Sequence, residues 1–221
     1  MVISEYESLV NRITSCVQCD LCKTRTNAVP GEGSLDSKIM FVGEAPGARE
    51  DEKGLPFVGA AGNVLSEMLK LIGLNRQQVY IANIIKCRPP DNRDPSPHEI
   101  DQCWGYLDKQ IDIIDPELIV TLGRHSFGNF FPGELISQAR GKPRKWKGRT
   151  IFPVYHPAAT LHNPKLKPVL AEDFRKMEAL INSAQFDRGK TPTNNSCETQ
   201  LTFDFDSSHL PNIKANHDDK V

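Results

Sequence analysis

The chain is expected to fold as an α/β protein, a three-layer α/β/α sandwich around a central four-stranded parallel sheet. Two observations predict this. Four short apolar runs have strand character, at residues 38–45, 79–85, 118–122 and 151–155. Stretches with helical spacing of apolar groups lie between and after them. Strands separated by helices pair in parallel through right-handed crossovers, which puts helices on both faces.

The first run, Lys38-Ile-Met-Phe-Val-Gly-Glu-Ala45, is continuous and apolar up to its glycine, as a strand buried on both faces requires. A long loop, 46–61, follows. Residues 62–73 then carry Val64, Leu65, Met68, Leu69 and Ile72 on one helical face, with Gly73 as the stop. A second helix fits 97–114, with Pro97 early and Glu99 in its first turn. Further helices are expected at 124–131 and 169–184. In such sheets, sites form at the carboxyl ends of the strands. Residues 43–47, 83–87 and His156-Pro157 all fall there.

The 221 residues suggest one domain over 1–184 with a tail. From 185 to 221, Asn, Thr, Ser, Asp and Lys dominate and periodicity vanishes, so this tail is expected to be disordered. A 38% hydrophobic and 25% charged composition is that of a globular chain that builds its own core. No apolar run approaches the ~18 residues of a membrane span. The first residues lack the basic start and apolar centre of a signal peptide. The expected location is the cytoplasm, where thiols stay reduced and free to bind metal. The net charge of −1 gives no global pull toward nucleic acid.

Four cysteines form an unusual pattern: Cys16-x-x-Cys19, then Cys87 after a strand, then Cys103 inside a helix. One pair plus two distant singles suits a cuboidal iron–sulfur cluster, which gathers four thiolates from separate segments. A zinc site and inert structural thiols are the alternatives, and Cys22 is a further thiol beside the first pair.

Gly43-Glu44-Ala45-Pro46-Gly47 and Gly54-Leu-Pro-Phe57-Val-Gly59 are small-residue loops that let backbone amides approach a ligand. Phe57 offers a flat face to a planar ring. Neither loop matches a phosphate-binding glycine pattern. Asn83 sits in an apolar strand, where a carboxamide must find partners. Its amide has both donor and acceptor, as reading one edge of a base requires. His156, at a strand end, can donate to developing negative charge. His98, His125 and His162 read as structural histidines. The segment from Arg140 to Arg149 holds six basic residues in ten, Trp146 and no acid. It suits a phosphate backbone or is a solvated hairpin.

Together these residues resemble family-four uracil-DNA glycosylases, the iron–sulfur class of that superfamily. The resemblance runs from Cys16 to about Leu180. It includes Cys16-x-x-Cys19, Gly43-Glu44-Ala45-Pro46-Gly47, Pro56-Phe57-Val58-Gly59-x-x-Gly62, Asn83-Ile84-x-Lys86-Cys87-Arg88-Pro89-Pro90, Cys103, Leu122-Gly123 and His156-Pro157-Ala158. It implies a [4Fe–4S] cluster on Cys16, Cys19, Cys87 and Cys103. It also implies excision of uracil from DNA by a monomer, leaving an abasic site. Phe57 would stack on the base and Asn83 would read its edge. Glu44, Ala45 and Gly47 would shape the pocket, with Glu44 catalytic. His156 would stabilise the departing anion. In family-one relatives an aspartate in the corresponding turn positions water; Ala45 cannot, and Glu44 and Asp51 are the nearby acids. Arg88, Arg140, Lys142, Arg144 and Lys145 would contact DNA, with Leu161 as the wedge. A sister class crosslinks to abasic sites through a histidine in a basic loop, and residues 138–145 contain none. The other alternative is an iron–sulfur DNA-binding module without glycosylase activity. In the tail, Gln200-Leu201-Thr202-Phe203-Asp204-Phe205 resembles peptides that bind the replicative sliding clamp.

Overall fold

The computed structural model describes residues 2–183. The tail expected at 185–221, with its clamp-like peptide, lies outside the described residues. In chain order the elements are α1 (Val2–Thr14), β1 (Glu32–Gly33), β2 (Ile39–Gly43), α2 (Ala48–Lys53), α3 (Ala60–Leu71), β3 (Tyr80–Asn83) and α4 (Pro97–Ile114). Then come β4 (Leu118–Leu122), α5 (Gly123–Phe130), α6 (Ile136–Ala139), β5 (Arg144–Trp146), β6 (Arg149–Val154), α7 (Ala159–His162) and α8 (Leu166–Asn182). Among these residues no helix is long and apolar enough to cross a membrane.

The sheet order is β1-β3-β2-β4-β6-β5. The four inner strands are parallel, as expected. Two short antiparallel strands, β1 and β5, extend the edges. At two and three residues they are too short to show a period in the sequence.

Alternation of side chains along the inner strands creates the layers. Met40, Val42, Tyr80, Ala82 and Ile119 face one side, where Leu9 and Ile13 of α1 join Leu107 and Ile111 of α4. Phe41, Ile81, Val120 and Phe152 face the other, against Leu65 and Leu69 of α3 and Phe174 and Met177 of α8. Each Val, Leu, Ile, Phe or Met among them contributes about 1.5–3 kcal/mol by burial. Helix α4 begins where expected because Ser96 and Glu99 form a capping box ahead of Pro97. Helix α1 was not predicted; it buries only Leu9 and Ile13, too narrow a stripe to read.

Register aligns the strand ends. Gly43 pairs with Asn83, Val42 with Thr121, and Leu122 with Val154. Residues 43–47, 83–87, 123–125 and 155–156 therefore leave the sheet along one edge.

The basic segment is largely neutralised by acids from elsewhere. Arg140 makes bonds of 2.8 and 2.7 Å to Asp173, which is fully buried. Arg144 lies 3.7 Å from Glu134, Lys147 lies 3.0 Å from Asp108 and Arg149 lies 2.8 Å from Asp115. Trp146 packs edge-on against Phe130, ring centroids 5.0 Å apart. Arg140, expected to contact DNA, is committed in this structure to the buried Asp173. Burial pushes the Asp173 carboxyl up, and Arg140 pulls it back down. Replacing Arg140 by Ala strands that carboxylate, so the variant should lose about 3–5 kcal/mol in chemical denaturation. A loss under about 1 kcal/mol would contradict this assignment.

Candidate active site and thiol nest

Three side chains converge where β2 and β3 end. Asn83 is 1% exposed, and its Oδ1 has no hydrogen-bond partner among the described residues. A Cβ built on Gly43 would overlap that oxygen and stand 2.7 Å from Phe57 Cζ. Only glycine lets the amide and the ring come this close. The Phe57 and His156 rings lie 5.7 Å apart, centroid to centroid, and tilted by 30°. Gly123, at φ +91°, makes room for His156: a Cβ there would sit 2.8 Å from the histidine Cβ.

Phe57 is held in the left-handed region, at φ +53°. For a phenylalanine that costs on the order of 1–3 kcal/mol. Neighbours hold it there. Arg76 donates to Phe57 O at 3.1 Å and Pro56 O at 2.7 Å, while bonding Glu32 at 2.6 Å. Glu50 Oε1 accepts from Val58 N and Gly59 N at 2.9 and 2.8 Å. A Cβ on Gly62 would overlap the Phe57 carbonyl.

His156 Nδ1 accepts from Ala158 N at 3.1 Å, so the neutral ring carries its proton on Nε2. Burial pushes its pKa down to about 4. At neutral pH the ring is therefore an uncharged donor.

A second feature lies behind the sheet end. Cys16, Cys19, Cys22, Cys87 and Cys103 line one cavity with Ile13, Arg25, Lys86 and Tyr106. The segments come from the end of α1, the 3-10 turn Asp20–Lys23, the chain after β3, and α4. Arg25 Nη1 donates to Cys87 Sγ at 3.0 Å, and Lys86 N donates to Cys103 Sγ at 3.2 Å. As free thiols, Cys87 is pushed up by burial and Cys103 up to about 11. Metal binding would reverse this. Among the described residues no three of these sulfurs lie within 4.8 Å of one another. A tetrahedral zinc with bonds of about 2.3 Å would hold its sulfurs ~3.8 Å apart. Arg25 sets one cationic donor against these sulfurs, and the Lys86 donor is a backbone N–H.

Residues 30–181 match the uracil DNA glycosylase superfamily. Relatives agree. A type-4 uracil-DNA glycosylase of Sulfurisphaera tokodaii is 53% identical over 184 residues, covering 79% of this chain and 84% of that one. Those of Saccharolobus solfataricus and Archaeoglobus fulgidus are 46% and 48% identical, covering 79% and 81% of this chain and 86% and 94% of theirs. The chain belongs to the type-4 uracil-DNA glycosylase family.

Within this family member the structure separates two acids that sequence left open. Asp51 is buried, and its Oδ1 accepts from Thr26 N and Asn27 N at 2.9 and 3.3 Å. It is spent on holding the chain. Glu44 is half-buried at the pocket edge, and burial raises its pKa. Its Oε2 is 4.0 Å from His125 Nε2, which in turn lies 3.2 Å from Asp94 Oδ2. Arg124 Nε stands 2.8 Å from the same imidazole nitrogen and occupies its lone pair. With Nε2 accepting from Arg124, the imidazole makes no ion pair through that nitrogen, and Asp94 pairs with Arg124 Nη2 at 3.3 Å. Sequence reading set His125 aside as structural; its place just after β4 was the available signal. It also missed Arg76.

Ala45 and Gly47 follow Glu44 in the chain, and Gly47 caps α2. Arg88 is half-buried and donates to Asn92 Oδ1 at 2.8 Å. Lys142 and Lys145 are exposed and have no acidic partner among the described residues. Leu161 is 48% exposed on α7.

The His156 pKa links to stability. Its folded value of about 4 lies below the ordinary 6.5, so the unfolded chain binds the proton first. The stability this neutral ring contributes is present above pH 6.5 and lost as pH falls toward 4. Denaturation across this window should show a shallower acid-side loss for His156→Gln than for the parent. Identical slopes would contradict the shift.

Proposed function

We propose that the protein excises uracil from DNA by hydrolysing the N-glycosidic bond, leaving an abasic site for repair. The observation that carries this reading is the unpartnered, buried Asn83 Oδ1 beside Phe57 and His156. An orphaned buried carboxamide is costly unless a ligand completes it.

Uracil in a duplex is out of reach, so it is flipped out at a cost of a few kcal/mol. Phe57 stacks on the ring. Asn83 pairs with the O4/N3 edge and rejects cytosine, whose donor pattern is reversed there. The turn at Glu44, Ala45 and Gly47 closes the O2 side. As the glycosidic bond breaks, negative charge grows on the base. The neutral His156 donates from Nε2 toward it, and no proton need move for this. Glu44, half-buried and acidic, is the group that orients water toward the sugar; Ala45 has no side chain to do so. Leu161 fills the vacated stack, and Arg88, Lys142, Arg144 and Lys145 guide the backbone. Residues 1–184 form the catalytic unit in this reading, acting as a cytoplasmic monomer. The clamp-binding peptide stays an expectation from sequence.

Cys16, Cys19, Cys87 and Cys103 would hold a [4Fe–4S] cluster. When bound, it supplies four thiolate bonds that tie the N-terminal segment and α4 to the chain leaving β3. Cys22 is left as a bystander. Ser variants of Cys16, Cys19, Cys87 or Cys103 should lose iron and the brown chromophore, whereas Cys22→Ser should keep full iron per chain. Iron loss in Cys22→Ser alone would overturn this ligand set.

Alkali-coupled cleavage of single-uracil DNA tests the activity. The parent should cut. His156→Ala should fall by ~10²–10³ in rate, and Asn83→Ala should also lose most cleavage. A cluster-loaded parent that binds DNA without cutting would reduce the protein to a binding module.

A further inference from the structure

Lys86 lies between Asn83 and Cys87 on one short segment and is 1% exposed. Its ammonium donates to Asn83 O and to Gln110 Oε1, both at 2.7 Å. Gln110 is itself fully buried. Its Nε2 donates to Pro30 O at 2.8 Å and to Tyr80 Oη at 2.9 Å. Tyr80 Oη shares a 2.7 Å hydrogen bond with Tyr6 Oη. The backbone N of Lys86 meets Cys103 Sγ. A continuous buried polar chain thus runs from α1 through α4 to the strand end that carries Asn83.

No carboxylate pairs with Lys86 among the described residues; it lines the same cavity as the sulfurs of Cys87 and Cys103. A buried ammonium needs a counter-charge. Thiolates bound to iron supply one. We infer that Lys86 is a positioning residue that couples the cluster to base reading: the cluster's negative charge holds the ammonium, and the ammonium holds the Asn83 backbone in place. Gln110 is the far anchor of this brace. The inference rests on the uracil and cluster readings above.

The test compares Lys86→Met and Gln110→Leu with the parent, as full chains purified with cluster. Iron and sulfide content, reduction potential, binding to uracil-free DNA and single-turnover uracil excision are read for each. Lys86→Met removes a cation beside the cluster. Its potential should move to a more negative value, because reduction adds negative charge. Its excision rate should fall by about tenfold or more, the scale of one charge-assisted hydrogen bond, with uracil-free DNA binding unchanged. Gln110→Leu leaves the ammonium and the ligand turn in place. It should keep the parent potential yet lose excision. Parent-like potential and excision in Lys86→Met overturn the inference. If Lys86→Met fails to hold its cluster, Gln110→Leu decides: full excision sinks the brace, reduced excision with an intact cluster supports it. A parent that excises no uracil overturns the function instead, while the potential still tests the charge link.

Discussion

The close approach of β2 and β3 at Gly43 and Asn83 is the constraint on which the site depends. Parallel pairing sets these residues opposite each other at the last rung of the ladder. With no side chain at Gly43, the Asn83 amide and the Phe57 ring share one space. Any Cβ there would close the pocket. The same strand then runs within four residues into Cys87, so base reading and the thiol nest are built on one segment.

A pocket of this kind needs rigidity that apolar packing alone does not give. Phe57 stands in an unfavourable backbone region and is kept there by directed bonds from Arg76 and Glu50. His156 is kept neutral by burial, with its tautomer fixed by Ala158 N. Both devices cost stability and set geometry in advance, which is what charge stabilisation in a transition state requires. The apolar layers on either face of the sheet, centred on residues such as Phe41 and Leu107, offset that cost.

Much of this was legible in the sequence, for identifiable reasons. The inner strands are continuous apolar runs, and α4 announces itself through Pro97 and Glu99. Asn83 stood out as a carboxamide in an apolar strand, and Phe57 as a flat ring in a loop of small residues. The structure brings Asn83, Phe57 and His156 together without itself assigning their roles. The acidic partners of the basic segment were not legible because they are distant in sequence: Asp173, Asp108 and Asp115 lie elsewhere in the chain, and only the fold brings them to Arg140, Lys147 and Arg149. The same reason hid His125 beside Glu44, and Arg76 beneath Phe57. Edge strands β1 and β5 were too short for any pattern.

The most direct test is a crystal structure of the cluster-loaded protein bound to DNA carrying an uncleavable uracil nucleotide. The account predicts a flipped uracil stacked on Phe57, with the Asn83 side chain on its O4/N3 edge and His156 Nε2 toward its O2 side. A uracil left in the duplex, or one bound away from Asn83, would contradict it.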